Sequence, residues 1–315
     1  MKNRMKPLVL QKYEVLAARV AINSPKRAEI DRELAKYHRG YAGELRVDYH
    51  LNFLASIGTI LQDVCLNVNG QTVQIDNIVI TKRAIYLIEV INYHGTVTFD
   101  TNFNQFIRSD GERETGFSYP ITQVELQMYK LQNWLHSHGF QDIPIYYFIA
   151  ISEPATIIKV EGDKHLIANI VAHGENIPKK IIDNEKQLAV SKSISIPHQK
   201  IGHALLRESI DYDRNIMAVH GLKISDLLPG VRCLNCSRFR MNRERRNWHC
   251  HKCKHISKNA HIKTINDHFL LTNPWTTNKE MMHLLQVGSR HVVKNLLKQA
   301  NLIYNVKKKK WTRRI

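Results

Sequence analysis

No stretch of the 315-residue chain approaches the roughly 18 consecutive apolar residues of a membrane-spanning helix, which excludes a helical membrane protein. The first twenty residues are basic and then apolar, but Gln11, Lys12, Glu14 and Arg19 interrupt the apolar part, so it is not a signal-peptide core. There is no internal repeat and, apart from Lys307–Lys310, no low-complexity tract. These absences lead to the expectation of a soluble, cytoplasmic protein with no membrane partner and no evident small-molecule substrate. Acidic residues are scarce in one region. Residues 231–315 hold 20 of the 46 Lys and Arg but 3 of the 28 Asp and Glu, a charge of +17, which leaves +1 for residues 1–230. A near-neutral body with a strongly basic tail is the asymmetry of a nucleic-acid binder. A basic membrane-surface tail would need an amphipathic membrane helix, and the tail has none. Cysteine is also scarce. Of five cysteines, four lie between Cys233 and Cys253, and without a secretion signal they are expected to be reduced, which favours metal ligation over disulfides. Cys65, in the apolar stretch ILQDVCLNV, reads as a buried small residue.

With 43% hydrophobic residues and 23% charged, the chain can build a sizeable core over two or three domains. Residues 1–39 read as a helical segment broken at Ser24-Pro25, and a further helix is expected after Gly40 and Gly43. TILQDVCLNV, TVQIDNIVIT and AIYLIEVINY read as three strands, and Gly95–Phe99 suggests a fourth. Pro120 opens a helix that Gly139 ends, and Pro144-IYYFIAI is another buried strand. The alternation indicates an α/β or α+β domain over residues 40–172, then a helical connecting segment over 173–230.

Asp76 and Glu89 are misfits, because both lie on strands that are apolar on both faces. Burying an unpaired charge costs several kcal/mol at least (~). An even-length loop centred on Lys82-Arg83 would set Asp76 directly opposite Glu89; an odd loop would not. Facing carboxylates repel unless one takes a proton or a cation lies between them, and a hard divalent ion such as Mg²⁺ or Mn²⁺ suits oxygen ligands. Carboxylates at strand ends, half solvated or paired with Arg, are the alternative.

Cys233-x₂-Cys236 and Cys250-x₂-Cys253, thirteen residues apart, form the strongest local motif: two tight turns offering four thiolates to a structural Zn²⁺ in a ribbon over residues 231–258. Its basic residues Arg243, Arg245 and Arg246 suit phosphates. In the tail, residues 259–315, Thr277 and Glu280 form a capping box for one helix, and Val287-Gly288-Ser289 turns into a second. This reads as helix-turn-helix-like, with Arg290 and Lys294 on the side that would meet DNA and Lys307, Lys308, Lys309 and Lys310 as phosphate contacts in a short basic wing.

GYAGE at 40–44, QID at 74–76, LIEVINYHG at 87–95, FNQFIR at 103–108 and the Pro120-x-x-Gln123 helix start resemble the nuclease-related domain (NERD) family, of the restriction-endonuclease-like PD-(D/E)xK fold. With the ribbon and last helices, the chain looks like a bacterial member carrying a C-terminal zinc ribbon. The resemblance implies a mixed-sheet domain in which Asp76 and Glu89 bind Mg²⁺ or Mn²⁺, Glu44 is a further acid facing the metal, and Gln123 is a helix glutamine near the site. It also implies phosphodiester hydrolysis on DNA. One position departs: the family expects Glu-x-Lys, and here Glu89-Val90-Ile91 stands. The lysine would orient water and offset phosphate charge, and losing such a group lowers rate by about 10²–10³. Three explanations follow: another lysine such as Lys130 substitutes, the enzyme is slow, or the domain is a catalytically inactive DNA-binding fold. An RNA-binding ribbon protein is the third reading of the whole chain.

Overall fold

The computed structural model describes residues 3–191 and 195–314; residues 192–194 of the expected connecting segment, the first two residues and residue 315 lie outside the described residues. By contact the chain forms two units: Met1–Pro7 with Lys36–Tyr212, and Leu8–Ala35 with Asp213–Ile315. The expected N-terminal segment is therefore shared between them. Among the described residues no helix is long and apolar enough to cross a membrane.

The chain opens with α1 (Leu8–Arg19) and α2 (Arg27–Leu51), and the Ser24-Pro25 break falls in the turn between them. The second expected break does not occur. Instead, α2 runs through Gly40 and Gly43 as one 25-residue helix. Gly43 is there for close approach: a Cβ added to it would lie 2.6 Å from both Asn92 Cβ and Ser152 Oγ.

The first unit then lays down β1 (Gly58–Val68), β2 (Gln71–Thr81), β3 (Ile85–Ile91), β4 (Thr96–Asp100), β5 (Gln105–Ser109) and β6 (Glu114–Phe117). It continues with α3 (Pro120–Ser137), β7 (Ile145–Ile151), β8 (Ile157–Glu161), α4 (Lys164–Ile170), β9 (Val171–His173), α5 (Ile177–Ser191) and α6 (His198–Glu208). The main sheet has the order β1-β2-β3-β7-β9, antiparallel up to β3 and parallel from there. A second sheet has the order β6-β5-β4-β8. Both faces of the main sheet are covered, which explains the near-continuous apolar runs of its strands. On one face Leu61, Ile78, Leu87 and Ile149 share a core with Val124 and Leu131 of α3 and Leu205 of α6. On the other, Val79, Tyr86, Ile88 and Phe148 meet Val47 and Leu51 of α2 and Ile181 of α5. Thus α5 and α6, expected as polar connectors, use their isoleucine and leucine stripes to cover the sheet.

The in-out alternation of β1 and β2 skips at one level. Leu61 and Val64, like Ile75 and Ile78, point into the same core although each pair is three residues apart. Asp63 at this level has a left-handed φ of 51°. Asp76 sits on β2 within the skip.

The second unit contains α7 (Ile216–Val219), β10 (Asn242–Glu244), β11 (Asn247–His249), β12 (Ile256–Ser257) and α8 (Ala260–Leu271). It ends with β13 (Trp275–Thr276), α9 (Asn278–Leu285), α10 (Arg290–Gln299), β14 (Leu302–Asn305) and β15 (Lys310–Arg313). Strands β10–β12 form a small sheet, and β13, β15 and β14 another. One apolar core underlies all of it: Met241 and Trp248 from the cysteine region share it with Ile265, Met281, Leu285, Val293, Leu297 and Trp311. The Trp248 indole N–H donates to His261 Nδ1 at 3.2 Å, and the Gly230 amide donates to the Leu284 carbonyl at 2.7 Å. Helix α1 joins this unit through Tyr13, whose hydroxyl lies 3.1 Å from His220 Nε2, and through Arg19 Nη1, which donates to the Leu228 carbonyl at 3.0 Å.

Gly43→Ala should lower unfolding stability by about 1–3 kcal/mol through overpacking. Gly40→Ala, with nothing within 4 Å of the added Cβ, should raise it by about 0.5–1 kcal/mol. Urea unfolding of both variants checks this; equal losses would remove the close-approach explanation.

Candidate active site and metal centre

The hairpin between β2 and β3 turns on Lys82 and Arg83, with the Thr81 amide donating to the Ala84 carbonyl at 3.0 Å. The ladder pairs Ile80 with Ile85 and, at its far end, Asn77 with Ile88. This is the even loop, and Asp76 and Glu89 are the next residues along. There the ladder gives way to a side chain: Asp76 Oδ2 accepts the Val90 amide at 2.9 Å. Glu89 is buried, 9% exposed. Helix α3 supplies both its partners, with Gln123 Nε2 donating to Oε1 at 2.5 Å and Gln127 Nε2 donating to Oε2 at 2.9 Å.

Helix α2 brings Glu44 and Asp48 to the same place, and Arg4 binds them together. Its Nη1 donates to Glu44 Oε2 at 2.7 Å, Nε to Asp48 Oδ2 at 2.7 Å, and Nη2 to the Asp76 carbonyl at 2.8 Å. The Arg4 side chain is 1% exposed, and its backbone amide donates to Gln62 Oε1 at 2.5 Å. Glu44, Asp76, Glu89 and Gln123 therefore converge. Asp76 and Glu44 are half-buried and Gln123 is exposed, so the cluster opens to solvent on that side.

Three participants escaped the sequence reading: Asp48, one helical turn beyond Glu44, Gln127 and Arg4. Gln127 is one helical turn beyond Gln123, so its face was legible. Arg4 lies 72 residues from Asp76, and nothing in its local sequence marks it. At the position of the family's lysine, Ile91 is 7% exposed within the apolar layer that contains Ile121 and Val124. Lys130 makes no ion pair with these acids; the cation beside them is Arg4.

Burial, then the charge of Asp76, pushes the Glu44 carboxyl up to about 8 from an ordinary 4.5, against the pull of Arg4. Burial raises Asp76 as well, opposed by the Val90 amide and Arg4. Glu89 is raised well above its usual range by burial and by Asp76, while its two glutamine partners favour the ionised form. The Arg4 guanidinium thus stands beside Glu44, Asp48 and Asp76, while Glu89 rests on its two amides, and the repulsion that remains is relieved by a proton or by a further cation.

The donors are hard oxygens, which suit Mg²⁺ or Mn²⁺. Among the described residues, though, the only group of three or more His, Cys, Asp or Glu donors within 4.8 Å of one another is Cys233, Cys236, Cys250 and Cys253. The acidic cluster is no closed protein cage.

The cysteine set is closed. Sγ of Cys233 and Cys253 lie 3.6 Å apart, and those of Cys236 and Cys250 3.5 Å apart, near the roughly 3.8 Å edge of a tetrahedron with Zn–S bonds of about 2.3 Å. The His255 backbone amide brings Cys253 down to about 6, toward the thiolate that ligates metal. This centre can hold a metal ion such as zinc.

The basic residues singled out in the tail are mostly at the surface. Arg245 and Arg246 tip the β10–β11 hairpin, Arg290 and Lys294 lie on α10, and Lys307–Lys309 form the β14–β15 turn, all exposed. Arg243 is half-buried with its guanidinium 5.1 Å from the Trp248 ring centre, and Lys310 Nζ lies 3.1 Å from that of Trp275.

The acids protonate more readily in the folded state than in the unfolded one. For Glu44 the contribution to stability is therefore complete below about pH 4.5 and is lost as pH rises through about 8, and Asp76 and Glu89 act in the same direction. The melting temperature should fall across this range, and Mg²⁺ or Mn²⁺ should raise it more near pH 8 than near pH 5. Glu89→Gln should flatten the fall and abolish the metal effect; a metal effect that survives in Glu89→Gln would refute the assignment. Separately, mercurial titration of the cysteines should release one equivalent of zinc, a release that Cys236→Ser lowers.

Residues 39–152 match the family model of the nuclease-related domain. Searches of curated proteins and of solved structures found no match. The matched segment contains Glu44, Asp76, Glu89, Gln123 and Gln127, while Arg4 lies before it and the cysteine centre after it. The chain thus carries a nuclease-related (NERD) domain, with a four-cysteine centre beyond it that can hold zinc.

Proposed function

We propose that the protein is a metal-dependent nuclease acting on DNA, slowed by the absence of the usual lysine and assisted by a zinc-ribbon and winged helix-turn-helix tail that holds the substrate. One observation carries the reading: a buried acid, Glu89, is held by two side-chain amides at the foot of a carboxylate cluster that opens to solvent. Such an arrangement destabilises the fold, and perturbed acids in a cleft are a signature of function. Asp76 and Glu89 would hold Mg²⁺ or Mn²⁺, and Gln123 and Gln127 orient Glu89. Glu44 keeps Oε2 on Arg4. The bound ion would supply an activated water and offset charge on the phosphate. Arg4 stabilises the acids as a fixed cation, but it is held on Glu44, Asp48 and the Asp76 carbonyl with its side chain 1% exposed, so it does not replace a lysine that reaches the phosphate.

The order α8-β13-α9-α10-β14-β15 supports the tail assignment. Three helices with a short strand after the first and a basic hairpin after the third have the layout of a winged helix, with α10 as the recognition helix. The Thr277–Glu280 capping box and Ser289 N-cap support the helix boundaries. Ile91 favours a second reading, a DNA-binding protein on a catalytically silent nuclease fold.

Cleavage of single-stranded, duplex and flapped DNA with Mg²⁺ or Mn²⁺ tests both. Wild type should cut slowly, Asp76→Asn should not cut, and Ile91→Lys should gain about 10²-fold. A wild type that binds DNA without cutting, with no gain in Ile91→Lys, would leave only the second reading.

A further inference from the structure

A cleft of about 1100 Å³ runs through the second unit, between the β10–β11 hairpin and one side of α10. Arg243, Arg245, Arg246, Lys258 and Lys298 line it, together with five side-chain amides that include Asn295 and Gln299; no acidic residue does. Cations of this density suit phosphates, and amides suit base edges. No aromatic side chain lines the cleft. Single-strand binders rely on aromatic stacking platforms, so the lining favours a duplex.

The hairpin tip adds a second observation. Glu244 pairs with Asn247, so Arg245 and Arg246 are the two central residues of a tight turn, and both have left-handed φ, 44° and 75°. Asn-Gly adopts that turn with little strain, and two arginines do not. Strain held in an exposed pair of cations points to use. A third observation concerns Arg243: its Nη1 is buried and has no hydrogen-bond partner. The walls are fixed to each other, because Trp248 of the hairpin and Val293, Leu296 and Leu297 of α10 share one core. The cleft face of α10 carries Val292, Asn295 and Gln299, whereas Arg290 and Lys294 lie outside the cleft.

We infer that the cleft grips one DNA duplex, with the Arg245–Arg246 turn on the phosphates of a strand and the Asn295–Gln299 face of α10 at the adjacent groove. The cysteine ribbon and the helices then act as a single clamp, with the ribbon as one jaw. This rests on the proposed nucleic-acid function and adds the substrate form and the surface.

The test uses the full chain, fluorescence anisotropy with a short duplex and the matching single strand, and several salt concentrations. Arg245→Asn with Arg246→Gly removes both charges while giving the turn its preferred residues, so the melting temperature should hold or rise. Its salt-dependence slope should drop by about two, since each lost phosphate contact removes about 0.9. Lys298→Ala should lower the slope by about one, and combining it with the turn variant should lower it by about three. Asn295→Ala should narrow the affinity gap between duplexes of different sequence. The clamp is overturned if the turn variant and Lys298→Ala bind as wild type does while Arg290→Ala with Lys294→Ala loses binding. A wild type that prefers the single strand overturns the choice of duplex. Wild type that binds neither at low salt overturns the nucleic-acid reading itself, and the clamp with it.

Discussion

Gathering carboxylates in a place only partly open to water is the constraint around which the first unit is arranged. Each acid raises the proton affinity of the others, and burial raises it further. The fold answers with one guanidinium and two amides. Arg4 draws Glu44 and Asp48 of α2 toward β2, and Gln123 and Gln127 tie β3 to α3. Helices on both faces of the sheet are thus anchored through the acidic cluster, and Gly43 lets α2 come close enough for that. The skip in β1 and β2 serves the same end. It breaks the alternation that would bury Asp76 in one of the two apolar layers.

How much of this was legible depends on how local its cause is. Strands β1, β2, β3 and β7 are covered on both faces and announce themselves as apolar runs. The register of β2 and β3 follows from where Lys82-Arg83 breaks those runs. Strands β5, β6 and β8 are four or five residues long, and Phe106 is the one buried residue in them, so they carry no pattern that separates them from loops. Gly40 and Gly43 read as punctuation because glycine lowers helix propensity, whereas tertiary packing decides the matter. Arg4 was beyond reach for a different reason: a cation paired only through distant chain segments leaves no local trace. Ile91 was conspicuous only against the resemblance to a family.

In the second unit the cysteine centre, the helices and both small sheets share one core. Segments that composition divides into a ribbon at 231–258 and a tail at 259–315 are continuous in packing. Four thiols converging on one ion would stabilise the turns of the hairpin that carries Trp248, and Trp248 reaches His261 of α8. That histidine is held to about 4 by burial, so it is neutral and can accept the indole N–H. A metal ion would in this way support helix packing well away from its own ligands.

Neither unit is a continuous stretch of chain: residues 8–35 belong with 213–315, and residues 36–212 intervene. During synthesis at about 5–20 residues per second, α1 emerges roughly ten to forty seconds before the segments it will pack against. Leu10, Tyr13 and Leu16, which are 0% exposed in the finished protein, must wait unburied through that interval. The nascent chain therefore carries an unpartnered apolar segment while its first unit folds, a period in which chaperones or ribosome pausing would have the most influence on yield.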